Sequence, residues 1–297
     1  MTKNRRQDRR RYKGTARRYK STTRRYKGAA RRGAARRYEA MYLLVLLLLF
    51  TNTLAIAQDE RRVTSPNGEL EFRIAVAQPE NGALFRLAYQ VFFRGKCLID
   101  TSFLGLNIRF QEPLLGENVG LTGSRASSDP GPYHSLIVEY MQNGSLGRRI
   151  NVEVRVADDG IAFRYRVPRS SPLEELLLED ETTEFAFAQE GMAYPADGRG
   201  VELSRIDGKA RMPLPLVAQQ PGVGWVAITE VGTGGYPRAY LARAEGTVLI
   251  TRLGARPSIP SVVFEGTTPL SCPWRVVIVG QDRARLMQAE ILKGLGR

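Results

Sequence analysis

From Glu69 onward the chain alternates. Leu70, Phe72, Ile74 and Val76 are separated by polar or small residues, and Ile150, Val152, Val154 and Val156 by Asn151, Glu153 and Arg155. Ile161, Phe163, Tyr165 and Val167 repeat the pattern against Ala162, Arg164 and Arg166. A period of two puts every second side chain on one face, so these stretches read as half-buried strands with one face on a core. Turn residues stand where such strands must reverse: Pro66-Asn67-Gly68, Asn81-Gly82, Arg94-Gly95-Lys96, Asn143-Gly144, Asp158-Asp159-Gly160, Asp197-Gly198 and Glu245-Gly246. Asn-Gly and Asp-Gly pairs supply the positive φ of tight hairpins. The same pattern predicts strands over residues 84–93, 104–110, 135–140, 225–230, 239–243, 247–253 and 274–279. Twelve or more strands with few helices imply a large antiparallel sandwich rather than a βαβ fold. One helix is expected near the end, where Arg285-Leu286-Met287, Ile291-Leu292 and Leu295 recur at helical spacing behind Gly280-Gln281-Asp282 as capping segment.

The net charge of +14 points toward nucleic acid only until it is located. Residues 1–40 hold 17 Lys/Arg against 2 acids, which leaves 27 against 28 for the rest. The body is therefore close to neutral, and a chain 43% apolar overall supports a sizeable core. The basic segment is a degenerate seven-residue repeat, RRYKGTA, RRYKSTT and RRYKGAA, then RRGAA and RRYEA. It has no apolar pair at coiled-coil spacing and almost no apolar area to offset ordering entropy, so it reads as a low-complexity tail. Arg pairs interleaved with Tyr12, Tyr19, Tyr26 and Tyr38 suit phosphates and stacked bases, or an anionic leaflet. A tandem expansion at the start of the gene, with Met41 as candidate initiator, or a mere signal-peptide n-region, is the preferred reading.

Residues 41–57, MYLLVLLLLFTNTLAIA, carry no charge. Their strongly apolar part, Tyr42 to Phe50, is shorter than the ~20 residues of a spanning helix, and Ala55-Ile56-Ala57 fits signal-peptidase cleavage before Gln58. A secretory signal with an overlong basic start is the expectation, with a buried core helix and an uncleaved anchor as alternatives. Export to the periplasm or the outer membrane follows, with residues 58–297 as the mature sandwich domain. It leaves no nucleic-acid role for the mature body. Cys97 and Cys272 allow one disulfide or two separate thiols.

The chemistry-bearing residues are sparse. His134 is the one histidine, without a G-x-S-x-G, and reads as a loop or strand-edge residue. Neither H-E-x-x-H nor C-x-x-C is present, so no zinc ligand set exists. Asp158-Asp159-Gly160 lies between two alternating strands and reads as a hairpin turn rather than an acid/base pair. Glu174, Glu175, Glu179, Asp180, Glu181 and Glu184 form an acidic run whose spacing matches no calcium loop, and solvated charge is expected. Gly232-Thr233-Gly234-Gly235 leads into Tyr236-Pro237 instead of a helix, which removes the basis of a phosphate cradle. Glu230, ending Trp225-Val226-Ala227-Ile228-Thr229-Glu230, is on pattern alone either an ordinary strand-end carboxylate or a ligand.

Taken in order, Ser65-Pro66-Asn67-Gly68, Arg94-Gly95-Lys96, Leu104-Gly105-Leu106, Asp158 to Tyr165, Glu181-Thr182, Glu184-Phe185, Pro213-Leu214-Pro215, Ile228-Thr229-Glu230 with Tyr236-Pro237, and Pro273-Trp274-Arg275 resemble one known pattern. It is that of the N-terminal domain of glycoside hydrolase family 97, the bacterial α-glucosidases and α-galactosidases, over roughly residues 63–297. The resemblance implies an all-β fold, a large antiparallel β-super-sandwich of the galactose mutarotase-like kind with one C-terminal helix. It implies packing on a (β/α)8 catalytic barrel, in cis or in trans, which holds the catalytic carboxylates, so no catalytic residue is assigned to this chain. It implies that Glu230 joins barrel glutamates around a calcium ion that helps to bind an α-glucoside or α-galactoside oligosaccharide. One glutamate cannot satisfy calcium's 6–8 oxygens, so calcium is expected only with the barrel. Arg238 and the glycine-rich loop after Glu230 depart from the family pattern, as does Tyr194, where the family has Trp.

Three functions follow as expectations. The first is the exported, non-catalytic half of a family 97 α-glycosidase, inactive alone. The second is a free-standing carbohydrate-binding module using aromatics such as Tyr133, Tyr194 or Trp225. The third is a membrane-anchored protein with a basic cytoplasmic tail.

Overall fold

The computed structural model describes residues 59–127, 130–144, 147–196, 198–232, 234–254 and 261–295. The basic tail and the apolar run lie outside the described residues, and so does the cleavage site before Gln58. Among the described residues no helix is long and apolar enough to cross a membrane.

The alternating stretches form strands with the expected facing. In Leu70–Ala77 the side chains of Leu70, Phe72 and Ile74 are buried. In Arg149–Ala157 and Gly160–Val167 the even and odd sets, respectively, enter the core. One sheet has eight strands in the order Arg61–Thr64, Leu70–Ala77, Arg86–Phe93, Lys96–Phe103, Glu184–Phe187, Val248–Leu253, Ala239–Glu245 and Met212–Pro213. The other runs Val201–Glu202, Met192–Tyr194, Leu216–Gln220, Gly224–Val231, Trp274–Gly280, Gly160–Val167, Arg149–Ala157, Tyr133–Gln142 and Val119–Arg125, with Leu270–Ser271 paired beside Gly160–Val167. A third set, Phe264–Thr267, Glu175–Glu181 and Leu106–Ile108, completes the β-super-sandwich. Every registered strand pair is antiparallel, both those joined by short hairpins and those between strands distant in the chain.

The two large sheets meet in an aromatic cluster. Phe72 stacks on Tyr89 at 5.3 Å, and Phe163 of the facing sheet lies 4.8 Å from Tyr89 and 6.3 Å from Phe185. Each such contact stabilises by about 0.5–1.5 kcal/mol beyond the area it buries. The Tyr89 hydroxyl donates to the Glu184 carbonyl at 2.7 Å, so burial of that phenol leaves no polar group unmet.

Three differences from the sequence reading matter. The acidic run is a strand, Glu175–Glu181, because Leu176 and Leu178 alternate inward beneath its charges. Residues 104–110 shrink to the strand Leu106–Ile108, and the chain turns at Phe110, which has φ 60°. The C-terminal helix is short: a 3-10 turn over Arg283–Gln288, capped by the Asp282 carboxylate accepting from the Ala284 amide, then an α-helix over Glu290–Lys293. Asp159 of the predicted hairpin turn holds that helix, accepting from the Glu290 and Ile291 amides at 2.5 and 3.2 Å. Gly160 beside it is required by space, since a Cβ there would sit 2.7 Å from Ile291.

Candidate functional site

Consecutive residues of a strand face opposite ways, and Pro273-Trp274-Arg275 uses this. Trp274 turns outward, sandwiched between the Arg155 and Arg164 guanidinium groups at 4.8 and 4.3 Å from its ring. Arg275 turns into the sandwich and is 1% exposed. A guanidinium cannot shed its charge, so at that depth it must be met by carboxylates. Two meet it. Its Nε and Nη2 donate to the two oxygens of Glu181, each at 2.7 Å, and its Nη1 donates to Glu230 Oε2 at 2.6 Å.

Glu181 ends the strand Glu175–Glu181 and is completely buried. Its Oε1 also accepts from the Thr183 hydroxyl at 2.8 Å and its Oε2 from the Tyr236 hydroxyl at 3.2 Å. Behind Thr183, the Tyr165 hydroxyl lies 2.6 Å from its Oγ1 and accepts from the Gly105 amide at 3.2 Å. Gly105 must be glycine for this approach, because a Cβ would fall 2.0 Å from Leu114. Burial raises both phenols well above their usual range, which keeps Tyr165 and Tyr236 protonated as donors. Burial alone would lower the Arg275 guanidinium, but the charge and hydrogen bonds of Glu181 raise it overall.

Glu230 sits near the end of the strand Gly224–Val231, opposite Arg275 in the register. Its two oxygens also face the Ala239 amide, each at 3.3 Å, and its side chain is 12% exposed. One guanidinium is thus shared by two carboxylates, and the trio carries a net charge of −1. Glu230 is the carboxylate nearer solvent and the one with fewer donors. Among the described residues no three His, Cys, Asp or Glu side chains gather as a metal site requires. Glu230 alone could not supply the 6–8 oxygens that calcium takes.

Sequence reasoning singled out Glu230 and placed Glu181 among solvated charges, which is wrong for that residue. Burial of Glu181 was invisible in a run of six acids. The signals that pointed to it were the Glu181-Thr182 and Trp274-Arg275 pairs within the ordered pattern, neither of which had been given a role. His134 is exposed on the strand Tyr133–Gln142, its Nδ1 2.8 Å from the Thr64 carbonyl oxygen. Asp158 accepts from the Asn67 amide at 2.9 Å, so both turn aspartates have structural partners. Cys97 and Cys272 are free thiols, and burial pushes them up to about 11 and about 12. Tyr133 is buried, against its expected use as an exposed platform, because it packs with Leu295 and Ile291 of the C-terminal segment. Tyr194 and Trp225 are half-buried, 5.4 Å apart, and Arg283 lies over both rings.

A family profile described as "Glycosyl-hydrolase 97 N-terminal" matches residues 63–296. A retaining alpha-galactosidase of Bacteroides thetaiotaomicron is 25% identical over 79% of this chain and 41% of its own length. A glycoside hydrolase family 97 enzyme from Pseudoalteromonas sp. strain K8, solved in complex with acarbose and, as a variant, with panose, superposes with a TM-score of 0.67 at 20% identity, over 80% of this chain and 38% of its own. A beta-arabinopyranosidase superposes at 0.62 and 20% identity, over 75% and 40%. The chain thus spans about two fifths of the length of the relatives it matches.

Proposed function

The chain belongs to the glycosyl-hydrolase 97 N-terminal family, and from that premise we propose that it is the exported, non-catalytic β-sandwich module of an α-glycosidase. It packs on a (β/α)8 barrel, in cis or in trans, and contributes Glu230 to a calcium site that the barrel completes. The observation that carries this reading is the uneven sharing of Arg275. Glu181 is consumed by the interior, whereas Glu230 keeps part of its charge at the edge of the sandwich. A carboxylate left with net charge and held by only one guanidinium and one amide attracts a further cation. Calcium, when bound there, would supply charge for holding and polarising a sugar; the work of this chain is to fix the Glu230 carboxylate through Arg275 and Ala239.

Reconstitution tests the reading. The chain mixed with a (β/α)8 barrel of a family 97 α-glycosidase should hydrolyse p-nitrophenyl α-glucoside or α-galactoside, with loss on chelating calcium. Glu230→Gln should reduce calcium affinity or turnover by about 10–100-fold. Unaltered turnover in that variant would refute the role given to Glu230. Sequencing the N-terminus of the exported protein should find Gln58.

A further inference from the structure

The strand Gly224–Val231 has a second end. Gly224 lies six residues from Glu230, which is about 20 Å along a strand. Around it opens a groove of about 760 Å³ lined by Gln219, Gln220, Gln281, Met192, Glu190 and Glu202 among others. That volume is in the range of small-molecule sites.

The charged side chains of the groove have partners of their own, although Glu190 keeps its charge. Glu202 pairs with Arg205 at 2.7 Å, and Glu190 accepts from the Gly191 and Ser204 amides at 3.1 and 3.3 Å. Arg94, also on the lining, pairs with Glu69 at 3.1 Å. Beside the Glu190 carboxylate, the remaining lining is neutral and polar. Gln281 donates from Nε2 to the Val223 carbonyl at 2.9 Å and keeps its own oxygen as an acceptor. Gln220 is 4% exposed, yet its Nε2 has no hydrogen-bond partner among the described residues. Burying such a donor unmet costs about 1–3 kcal/mol. The chain also keeps space for it, since a Cβ on Gly191 would lie 2.3 Å from that nitrogen. Across the strands, Glu202 pairs with Met192 and Met192 with Gln219, so Gln219 stands on the exposed sheet face, while Gln220, the next residue, turns to the buried one; both line the groove where the strand ends.

We infer that this groove is a saccharide-binding site separate from Glu230, taking a neutral oligosaccharide through the Gln219, Gln220 and Gln281 amides that line it. Planar amides both donate and accept, which matches neighbouring sugar hydroxyls. The inference rests on the reading of the chain as part of an α-glycosidase, and assigns it a role in holding substrate chains away from the reacting bond.

The test uses the full 297-residue chain without a barrel, titrated with maltotetraose or melibiose and followed by the side-chain amide NMR signals of its glutamines. The Gln220 signals should move on titration. Gln220→Met should weaken binding by about tenfold or more while leaving the melting temperature of the free protein unchanged or higher, because an unmet donor is removed. A structural glutamine behaves in the opposite way, with lowered melting temperature and unaltered affinity, and that result overturns the inference. Gln219→Ala, on an exposed residue, should weaken binding several-fold with the fold intact, and decides the matter if Gln220→Met does not fold. Unmoved amide signals for both sugars refute the site. Silent amides beside Glu230-dependent turnover in the reconstituted enzyme sink this inference alone, whereas sugar binding in a chain that no barrel activates keeps the groove and overturns the glycosidase reading.

Discussion

The two ends of the strand Gly224–Val231 handle polar groups in opposite ways. At the Glu230 end, three charged side chains and three hydroxyls form one connected network in which every oxygen of Glu181 is met. At the Gly224 end the charged groups have local partners, and a buried amide donor has none among the described residues. A satisfied buried network fixes geometry and resists change, while an unmet donor is a standing cost that a ligand can remove. The first end is built to hold one carboxylate still, and the second to receive something.

The largest effect should come from breaking the network at its centre. Arg275→Met leaves Glu181 buried without its cation, and urea denaturation should show a loss of about 3–5 kcal/mol. A loss below 1 kcal/mol would erase the contrast between the two ends. Glu181→Gln keeps the shape but loses the charge, and should cost about 2–3 kcal/mol. Glu230→Gln, at a partly exposed position, should cost under about 1 kcal/mol in the same assay. Equal losses for the two carboxylates would mean that Glu230 is a structural partner of Arg275 and nothing more.

Cys272 sharpens the same end through pH. Burial raises its thiol from 9.0 to about 12, so its contribution is intact below about pH 9 and is lost as pH climbs toward the folded value. Wild type should therefore lose on the order of 1–2 kcal/mol more than Cys272→Ala between pH 8 and pH 10.5, read from urea melts. The smallest effect is expected at the other end, where Gln220→Met should shift stability by less than about 1 kcal/mol, and upward.

The fold was legible because the burial of apolar side chains that drives it follows a two-residue period, which is written locally. Leu70, Phe72 and Ile74, or Ile150 to Val156, face the core because their neighbours cannot. Where charge density hid that period, as over Glu175–Glu181, the strand was missed although Leu176 and Leu178 kept the rhythm. The C-terminal helix was overdrawn for the reverse reason. Its apolar spacing is helical, but Ala289 adopts φ −54° and ψ 141°, and the Asp159 carboxylate takes the amides that follow. Tyr133 looked like a surface aromatic because the segment that covers it lies some 150 residues later in the chain.

Sequence alone determined the strand pattern, the neutrality of the body, the segregation of the basic residues into the first 40 positions, and Glu230 as the carboxylate to watch. Only the tertiary structure decided that Glu230 shares its guanidinium with Glu181, since the three residues lie 45 to 94 positions apart and meet across two strands and a separate sheet. It also decided which glutamine is buried without a partner. Periodicity reports which way a side chain faces, whereas whether a polar group is met there depends on what distant chain has been folded against it.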